Sequence, residues 1–405
     1  MLPPSTPDRT PVFLSAGFRP FFLLAAVAAV GLIGLWVAMW IGAVAMPSGI
    51  SPISWHAHEM VYGFVGAAVA GFLFTAVPNW TGRATRRGVS LGLLALLWLG
   101  ARFALYLPQH LPTLAPLLVD GAFPLILLVW VSREILLARN RPNLVVVAVL
   151  MIWALANLVF HGAHLGGWTD LEHAALMSGL QAVLVLVVLI GGRVIPAFTG
   201  NWLRQAGGHT LIRTHPLLDR AALPVAAATG VLLVTKPDNG ATAALCIVTG
   251  VVLVVRLSGW RGLHTLGEPL LLVLHVAYGW LSLGYLLTGL SILWPGVTSG
   301  AALHALTIGG IGTMILAMMS RAALGHTGRP LTASGSITGA YLLLSVAALT
   351  RSGASMLPGL HGDLLMVSGT LWVVAFAVFT VTYWPVLVGP VPPPDGRPGV
   401  GHTSR

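Results

Sequence analysis

The sequence predicts an all-α protein that crosses a membrane with twelve helices. Only 8% of its 405 residues are charged, whereas soluble domains carry about 25%. The mean hydropathy is +0.88, and 56% of the residues are hydrophobic. Apolar runs of roughly 17 to 25 residues, the length that spans a bilayer as a helix, recur along the chain. Together these observations exclude an ordinary soluble fold.

Pro, Gly and Arg mark the breaks between the apolar runs. We predict a single membrane domain over 21–388, a cytoplasmic segment 1–20 before it, and a disordered Pro- and Gly-rich tail over 389–405. The twelve predicted spans are 21–45, 58–77, 89–107, 113–137, 143–162, 171–191, 220–236, 241–258, 269–293, 301–320, 333–350 and 363–388.

The basic residues are distributed unevenly over the loops. With both termini in the cytoplasm, 18 of the 21 Lys and Arg residues lie on that side, and only Arg102, Lys236 and Arg351 lie opposite. This asymmetry follows the positive-inside rule. The net charge of +10 comes from arginines scattered between spans, so it predicts a lipid bilayer as the partner and not nucleic acid.

Two spans share an internal spacing. His58 lies 23 residues before Thr81 in span two, and His304 lies 23 residues before Thr327 in span ten. In both spans this threonine is the first residue of a Thr-Gly-Arg sequence.

Span six has a looser counterpart of this pattern. His173 opens it as His56 opens span two, and the run 196–200 is expected to close it. The spacing predicts three four-helix units about an axis, with coincidence among Gly- and Ala-rich helices as the alternative.

Histidine is frequent in a chain with so few charged residues, at 14 positions. An ionisable group inside a span costs several kcal/mol unless it is paired or bound, which favours a functional role. Neutral imidazole is a common ligand of haem iron, copper and zinc. The candidate metal ligands are His56, His58, His161, His164, His173, His275 and His304.

Helical geometry sorts some of these side chains. His56 and His58 point about 200° apart on a helix, so we expect them to serve different partners. His161 and His164 share a face and could bind one metal. Glu59 lies on the same face as His56, where it could orient that ring or carry protons.

Further polar groups lie within the predicted spans. Asp120 and Glu172 join Glu59 as catalytic candidates for a proton path, with structural hydrogen bonding as the alternative. Arg19, at the start of span one, is a candidate partner for a haem propionate, with an interfacial anchor as the alternative. The chain has no Cys-x-x-Cys-His motif, so any haem is bound non-covalently.

Four segments, 15–22, 55–64, 75–82 and 304–330, resemble the NnrS family. This resemblance covers nearly the whole chain. It implies a bacterial inner-membrane protein that contains haem and copper and is associated with denitrification and with tolerance of nitric oxide. The motif residues that the resemblance implies as cofactor ligands are His56, His58, His275, His304 and His326.

The chain is also distantly similar to subunit I of haem-copper oxidases and to nitric oxide reductases. In those proteins, histidines on the second and tenth helices hold a haem. The sequence lacks their adjacent His-His pair and their His-x-His motif on span ten. This similarity concerns the fold and does not define an active site.

These observations predict one or two haem b groups, with copper as a further metal, in two tiers. The periplasmic tier would use His304 with His56 or His58, and His161, His164 and His173 are its further candidates. A deeper tier would include His275. The expected function is binding and reduction of nitric oxide by a nitric oxide reductase-like oxidoreductase with an unknown electron donor. The alternatives are a metal or haem transporter, a nitric oxide buffer without turnover, and a haemless assembly factor.

Overall fold

A computed structural model describes residues 10–47, 49–84, 86–207 and 211–391. Every regular element in these ranges is a helix. The predicted all-α fold is therefore confirmed for the described part of the chain. The predicted disordered tail lies almost entirely outside the described residues, as do residues 1–9 of the predicted segment 1–20, His209 and His402.

Twelve long helices form the bundle, which matches the number of predicted spans. They are α1 (Phe18–Trp40), α2 (Pro52–Thr81), α3 (Val89–Tyr106), α4 (Ala115–Leu137), α5 (Leu144–Gly166), α6 (Thr169–Gln205), α7 (Pro216–Thr235), α8 (Gly240–Gly259), α9 (Pro269–Leu293), α10 (Ser299–His326), α11 (Gly335–Met356) and α12 (His361–Val388).

Eleven of these helices in the described chain are long and apolar enough to cross a membrane. The exception is α11, which has Ser or Thr at six positions and also carries Arg351. It packs between α10 and α12, where its hydroxyl groups find backbone partners. Ser352 donates to the carbonyl of Ala301 at 3.0 Å. Burial against neighbouring helices thus compensates for the polarity of α11.

The centre of the bundle is formed by α2, α6 and α10, the three helices with the most buried apolar stretches. Each of them contacts the other two. They are also the helices that carry the repeated spacing in the sequence. Their central packing agrees with three related units about an axis, and it places their opening histidines at one end of the bundle. We call this the histidine end, and the opposite end the arginine end.

Two π-helical segments strengthen the relation between α2 and α10. Glu59–Phe64 follows His58 directly, and Ala305–Gly312 follows His304 directly. Both helices then close on a left-handed glycine, Gly82 with φ 66° and Gly328 with φ 64°. A π turn widens the helix, frees a carbonyl group and is often found at functional sites.

The end predicted for span six is wrong. The structure continues α6 through Pro196 and the rest of the run 196–200 as far as Gln205. Proline removes one backbone hydrogen bond from a helix, but neighbouring helices in a membrane bundle can compensate. The chain turns instead at Gly207, whose φ is 71°. A π segment is also absent from α6, so this unit departs from the other two.

Candidate cofactor site

A large cavity opens at the histidine end between α1, α2, α6, α10 and α12. It measures about 460 Å³, within the range of small-molecule and cofactor sites. Its walls are mainly apolar and aromatic, with Trp36, Phe64 and Trp372 among them. We call it the histidine cavity because His56, His304 and His361 all line it.

Capping residues determine where the two histidine-bearing helices begin. Ser51 precedes α2, and its hydroxyl group accepts the backbone N–H of Ser54 at 3.0 Å. Thr298 precedes α10 and accepts the N–H of Ala301 at 3.2 Å. Such caps satisfy backbone donors that the first helical turn leaves free. They fix both helix starts close to the histidines that line the cavity.

His304 presents an unprotonated nitrogen to the cavity. Its Nδ1 lies 2.7 Å from the carbonyl oxygen of Gly300. Because a carbonyl oxygen only accepts hydrogen bonds, Nδ1 must carry the proton. In the neutral ring, Nε2 then keeps its lone pair, which is the tautomer that a metal-binding histidine adopts.

His361 has the same arrangement, with Nδ1 2.8 Å from the carbonyl oxygen of Ala354. His56 lies on the α2 wall of the cavity and stacks on Trp36, with ring centroids 4.5 Å apart. The structure thus brings His56 and His304, from helices distant in sequence, to one cavity. Of the two α2 histidines, His56 shares the cavity with His304.

Arg351 supplies positive charge to the same cavity. Its guanidinium group donates to the hydroxyl of Ser355 at 3.0 Å. In the described part of the chain, no carboxylate lies within ion-pair distance of it. A half-buried arginine without an acidic partner is suited to an anionic group on a bound molecule.

His58 belongs to a separate buried group, which we call the ion-pair network. The members of this network are Glu59, Arg102, Asp120, Asn157, His58 and His161. None of them is more than 9% exposed. Buried charges are tolerated only when they are paired and hydrogen-bonded, and here α2, α3, α4 and α5 supply the partners.

Asp120 is the centre of the network. Its Oδ2 accepts hydrogen bonds from Asn157 at 2.8 Å and from His161 at 3.0 Å, and it lies 3.1 Å from Nε2 of His58. Its Oδ1 accepts from the guanidinium group of Arg102. Because a carboxylate only accepts, both imidazoles point N–H groups at it.

Two polar atoms of the network have no hydrogen-bond partner, Nδ1 of His58 and Oε2 of Glu59. His58 Nδ1 lies 3.7 Å from Glu59 Oε1, which accepts from Arg102 at 2.8 Å. With neutral imidazoles, two carboxylates and one guanidinium leave one negative charge. The network can therefore hold one more proton or a cation.

The triad of His58, Asp120 and His161 could bind a metal ion, since its ligand atoms lie within 4.8 Å of one another. A metal would have to displace the two N–H groups that now point at the carboxylate. It would also meet the positive charge of Arg102. At His304, by contrast, the proton lies on Nδ1, so a metal at Nε2 would have no N–H group to displace.

The relation predicted between Glu59 and His56 is wrong. The carboxylate of Glu59 lies beside His58 and pairs with Arg102. A buried carboxylate gains more from a buried guanidinium than from a neutral ring, and the π turn that begins at Glu59 alters the helical register.

Glu172 lies outside the ion-pair network, and its predicted proton path with Asp120 stays a prediction. It accepts from His164 at 3.0 Å, at the edge of a cleft of about 370 Å³ that His161 and His164 line together. His173 is exposed. His161 and His164 therefore have different carboxylate partners.

Arg19 forms hydrogen bonds within the protein, and its predicted role toward a haem propionate stays a prediction. Its guanidinium group donates to the backbone carbonyls of Val386, Leu387 and Gly389, at 3.4, 2.9 and 2.8 Å. These are the free carbonyls at the end of α12, which basic side chains commonly satisfy. Arg19 closes a helix terminus and lies at the arginine end.

His275 and His326 also lie toward the arginine end, away from the cavity. His275 Nδ1 donates to the carbonyl of Leu271 at 3.0 Å, and its Nε2 lies 3.4 Å from Thr199 Oγ1. His326 is exposed beside Phe18. The deeper tier that would include His275 remains a prediction.

Several residues of both sites are not recognisable as site residues from the sequence. Arg351 and Arg102 were counted only as far-side charges, and His361 resembled a loop residue. The sequence did contain a signal, since these two arginines sit on the side where basic residues are rare. Asn157 left no signal, because an amide within an apolar span has no distinctive spacing.

A family model described as NnrS protein matches residues 12–390. No curated protein matches the chain. The family match spans nearly all of the 405 residues and confirms the resemblance seen in the motifs. The chain belongs to the NnrS family, a family of membrane proteins related to nitric oxide.

Proposed function

We propose that this protein binds haem b in the histidine cavity and uses it to bind and reduce nitric oxide. The observation that carries the proposal is the free Nε2 of His304, which is held by the bond from Nδ1 to Gly300. His56 and His361 are further nitrogen ligands on the same cavity. The apolar walls would exclude water from a bound macrocycle.

Arg351 is the residue whose positive charge would neutralise the negative charge of a haem propionate. It lines the cavity and has no carboxylate partner among the described residues. An arginine in this position replaces the role first expected of Arg19. Bound haem would supply an iron atom as the binding position for nitric oxide and as an acceptor of electrons.

The ion-pair network is the proposed source of protons. Reduction of two nitric oxide molecules to nitrous oxide and water consumes two electrons and two protons. Glu59 and Asp120 belong to a network with one net negative charge, so the network can take up one proton. The cleft at His161 and His164, with Glu172 at its edge, leads from the histidine end to this network.

Copper at the triad of His58, Asp120 and His161 is the competing use of the same network. Arg102 pairs with both carboxylates and would repel a metal cation, and for this reason we assign the network to protons. Metal analysis of the purified protein tests the choice. One equivalent of copper that disappears in Asp120→Asn, while haem remains, would reverse it.

The arginine end is proposed to face the cytoplasm of a bacterial inner membrane. The support is the distribution of basic residues along the sequence, 18 of 21 of which fall in the segments predicted to be cytoplasmic. A C-terminal reporter that is active only in the cytoplasm would test this orientation. Activity of a periplasm-specific reporter at the same position would contradict it.

The central test is optical. Protein purified after haem-supplemented expression should show a Soret band, and the band should shift when nitric oxide is added to the reduced protein. His304→Ala should abolish the band because it removes the free Nε2, whereas the exposed His173→Ala should leave it unchanged. Wild-type protein without a Soret band would end the proposal.

Measurement of nitrous oxide separates a reductase from a buffer. With an artificial reductant under anaerobic conditions, we expect nitrous oxide from the haem-loaded wild type. A spectral shift without nitrous oxide would leave binding in place and remove turnover. Haem uptake into vesicles without either signal would favour the transporter.

A further inference from the structure

We propose that a second, smaller cavity is a docking site for nitric oxide on a route from the membrane interior to the histidine cavity. It lies among α1, α2, α6 and α10, with Phe22, Ala68, Val69, Val187, Ile315 and Met318 in its lining. The direction of the route rests on the proposed function, whereas the binding of a small apolar gas does not.

Size and chemistry select the occupant. The cavity measures about 70 Å³, and one water molecule takes about 30 Å³ of liquid volume. It therefore has room for one or two diatomic molecules and is too small for a haem. Only apolar side chains line it, and apolar cavities remain dry and bind apolar guests.

Its position continues the histidine cavity along two central helices. On α2, Val65 lines the larger cavity and Val69 lines the smaller one. On α10, Ile311 lines the larger and Ile315 the smaller. A spacing of four residues is about one helical turn, or roughly 5.4 Å. The two cavities are therefore stacked along α2 and α10.

The small cavity is reached from the membrane and not from water. Val69, Val187, Ile315 and Met318 are half-buried residues in the interior of spanning helices. The surrounding solvent at that level is hydrocarbon. Nitric oxide is small and uncharged, and it partitions into hydrocarbon. Protons have the separate cleft at His161 and His164, so the two reactants would reach the centre by different routes.

Tryptophan substitutions that fill the cavity test this inference. We expect Val69→Trp and Ile315→Trp to slow the bimolecular combination of nitric oxide or carbon monoxide with the reduced protein after flash photolysis. A slowing of about tenfold corresponds to ~1.4 kcal/mol of additional barrier. Val231→Trp is the matched control, because Val231 is 61% exposed on α7. Val69→Phe and Ile315→Phe serve if the larger substitutions prevent folding.

Xenon binding gives a readout that needs no haem. Xenon NMR should detect binding to the wild type and to Val231→Trp, and reduced binding to Ile315→Trp. Unchanged combination rates in the folded, haem-loaded variants would overturn the route. Absence of xenon binding to the wild type would overturn the docking site. Protein without a Soret band would refute the proposed haem function, and the xenon result alone would then decide the site.

Discussion

The histidine cavity and the ion-pair network lie side by side at one end of the bundle, yet they use histidine in opposite ways. In the cavity, His304 and His361 donate Nδ1–H to backbone carbonyls and turn Nε2 toward open space. In the network, His58 and His161 turn Nε2 toward the carboxylate of Asp120. The partner of the ring, and not its position on the helix, decides its chemistry.

Charge follows the same division. The cavity contains Arg351 and no carboxylate partner for it among the described residues, so it is suited to an anionic guest. The network contains Glu59 and Asp120 against Arg102 alone, so it is suited to a proton. The two sites therefore differ in the charge of the group that each would bind.

The largest change in stability is expected at Asp120, because the network depends on this carboxylate. Asp120→Ala leaves Arg102 with one fewer partner and removes the acceptor of Asn157 and His161, while His58 keeps only Oδ1 of Asn157. Removing one partner from a buried ion pair costs about 3–5 kcal/mol. Chemical unfolding in mixed micelles would measure the loss. As a control, the free energy of unfolding of the exposed Asp170→Ala variant should stay within about 0.5 kcal/mol of the wild type. An equally small effect at Asp120 would show that the network does not depend on this carboxylate.

A smaller effect is expected at Arg351, where the cavity would lose its positive charge. Arg351→Gln should weaken haem binding about ten- to a hundredfold, since hydrogen bonds to charged groups contribute about 1.5–3 kcal/mol. Haem titration into apoprotein measures the change. Lys236→Gln, an exposed cation at the same end, is the control. Equal affinities for all three proteins would show that the cavity needs no cation.

The smallest effect is expected at Arg19. Arg19→Gln should lower the free energy of unfolding by about 1–2 kcal/mol, because the end of α12 loses its donor. Haem content should not change, since Arg19 lies at the other end of the bundle. Loss of the Soret band in a folded Arg19→Gln protein would restore the role first predicted from the sequence.

The sequence predicted the number and position of the helices well. A span needs about twenty apolar residues, so its presence is recorded in the composition itself. The end of α6 was missed because Pro196 usually stops a helix, whereas α6 continues to Gln205. That outcome depends on neighbouring helices, which no local pattern records.

The candidate sites were only partly predictable. His56, His58 and His304 were selected because an ionisable ring in a span is costly, and the opposite directions of His56 and His58 followed from helical geometry. Which ring shares a site with His304 depends on how α2 packs against α5 and α10, so it required the fold. The partner of Glu59 was mispredicted for the same reason, because a charged side chain pairs across helices.

The most direct test compares His56→Ala with His58→Ala. Both proteins would be purified after haem-supplemented expression, and the haem content per chain and the EPR spectrum would be measured. We expect His56→Ala to lose haem or to change its EPR signal. We expect His58→Ala to keep the haem and the wild-type signal while losing nitrous oxide production. Loss of haem in His58→Ala with an unchanged spectrum in His56→Ala would contradict the assignment of the two sites.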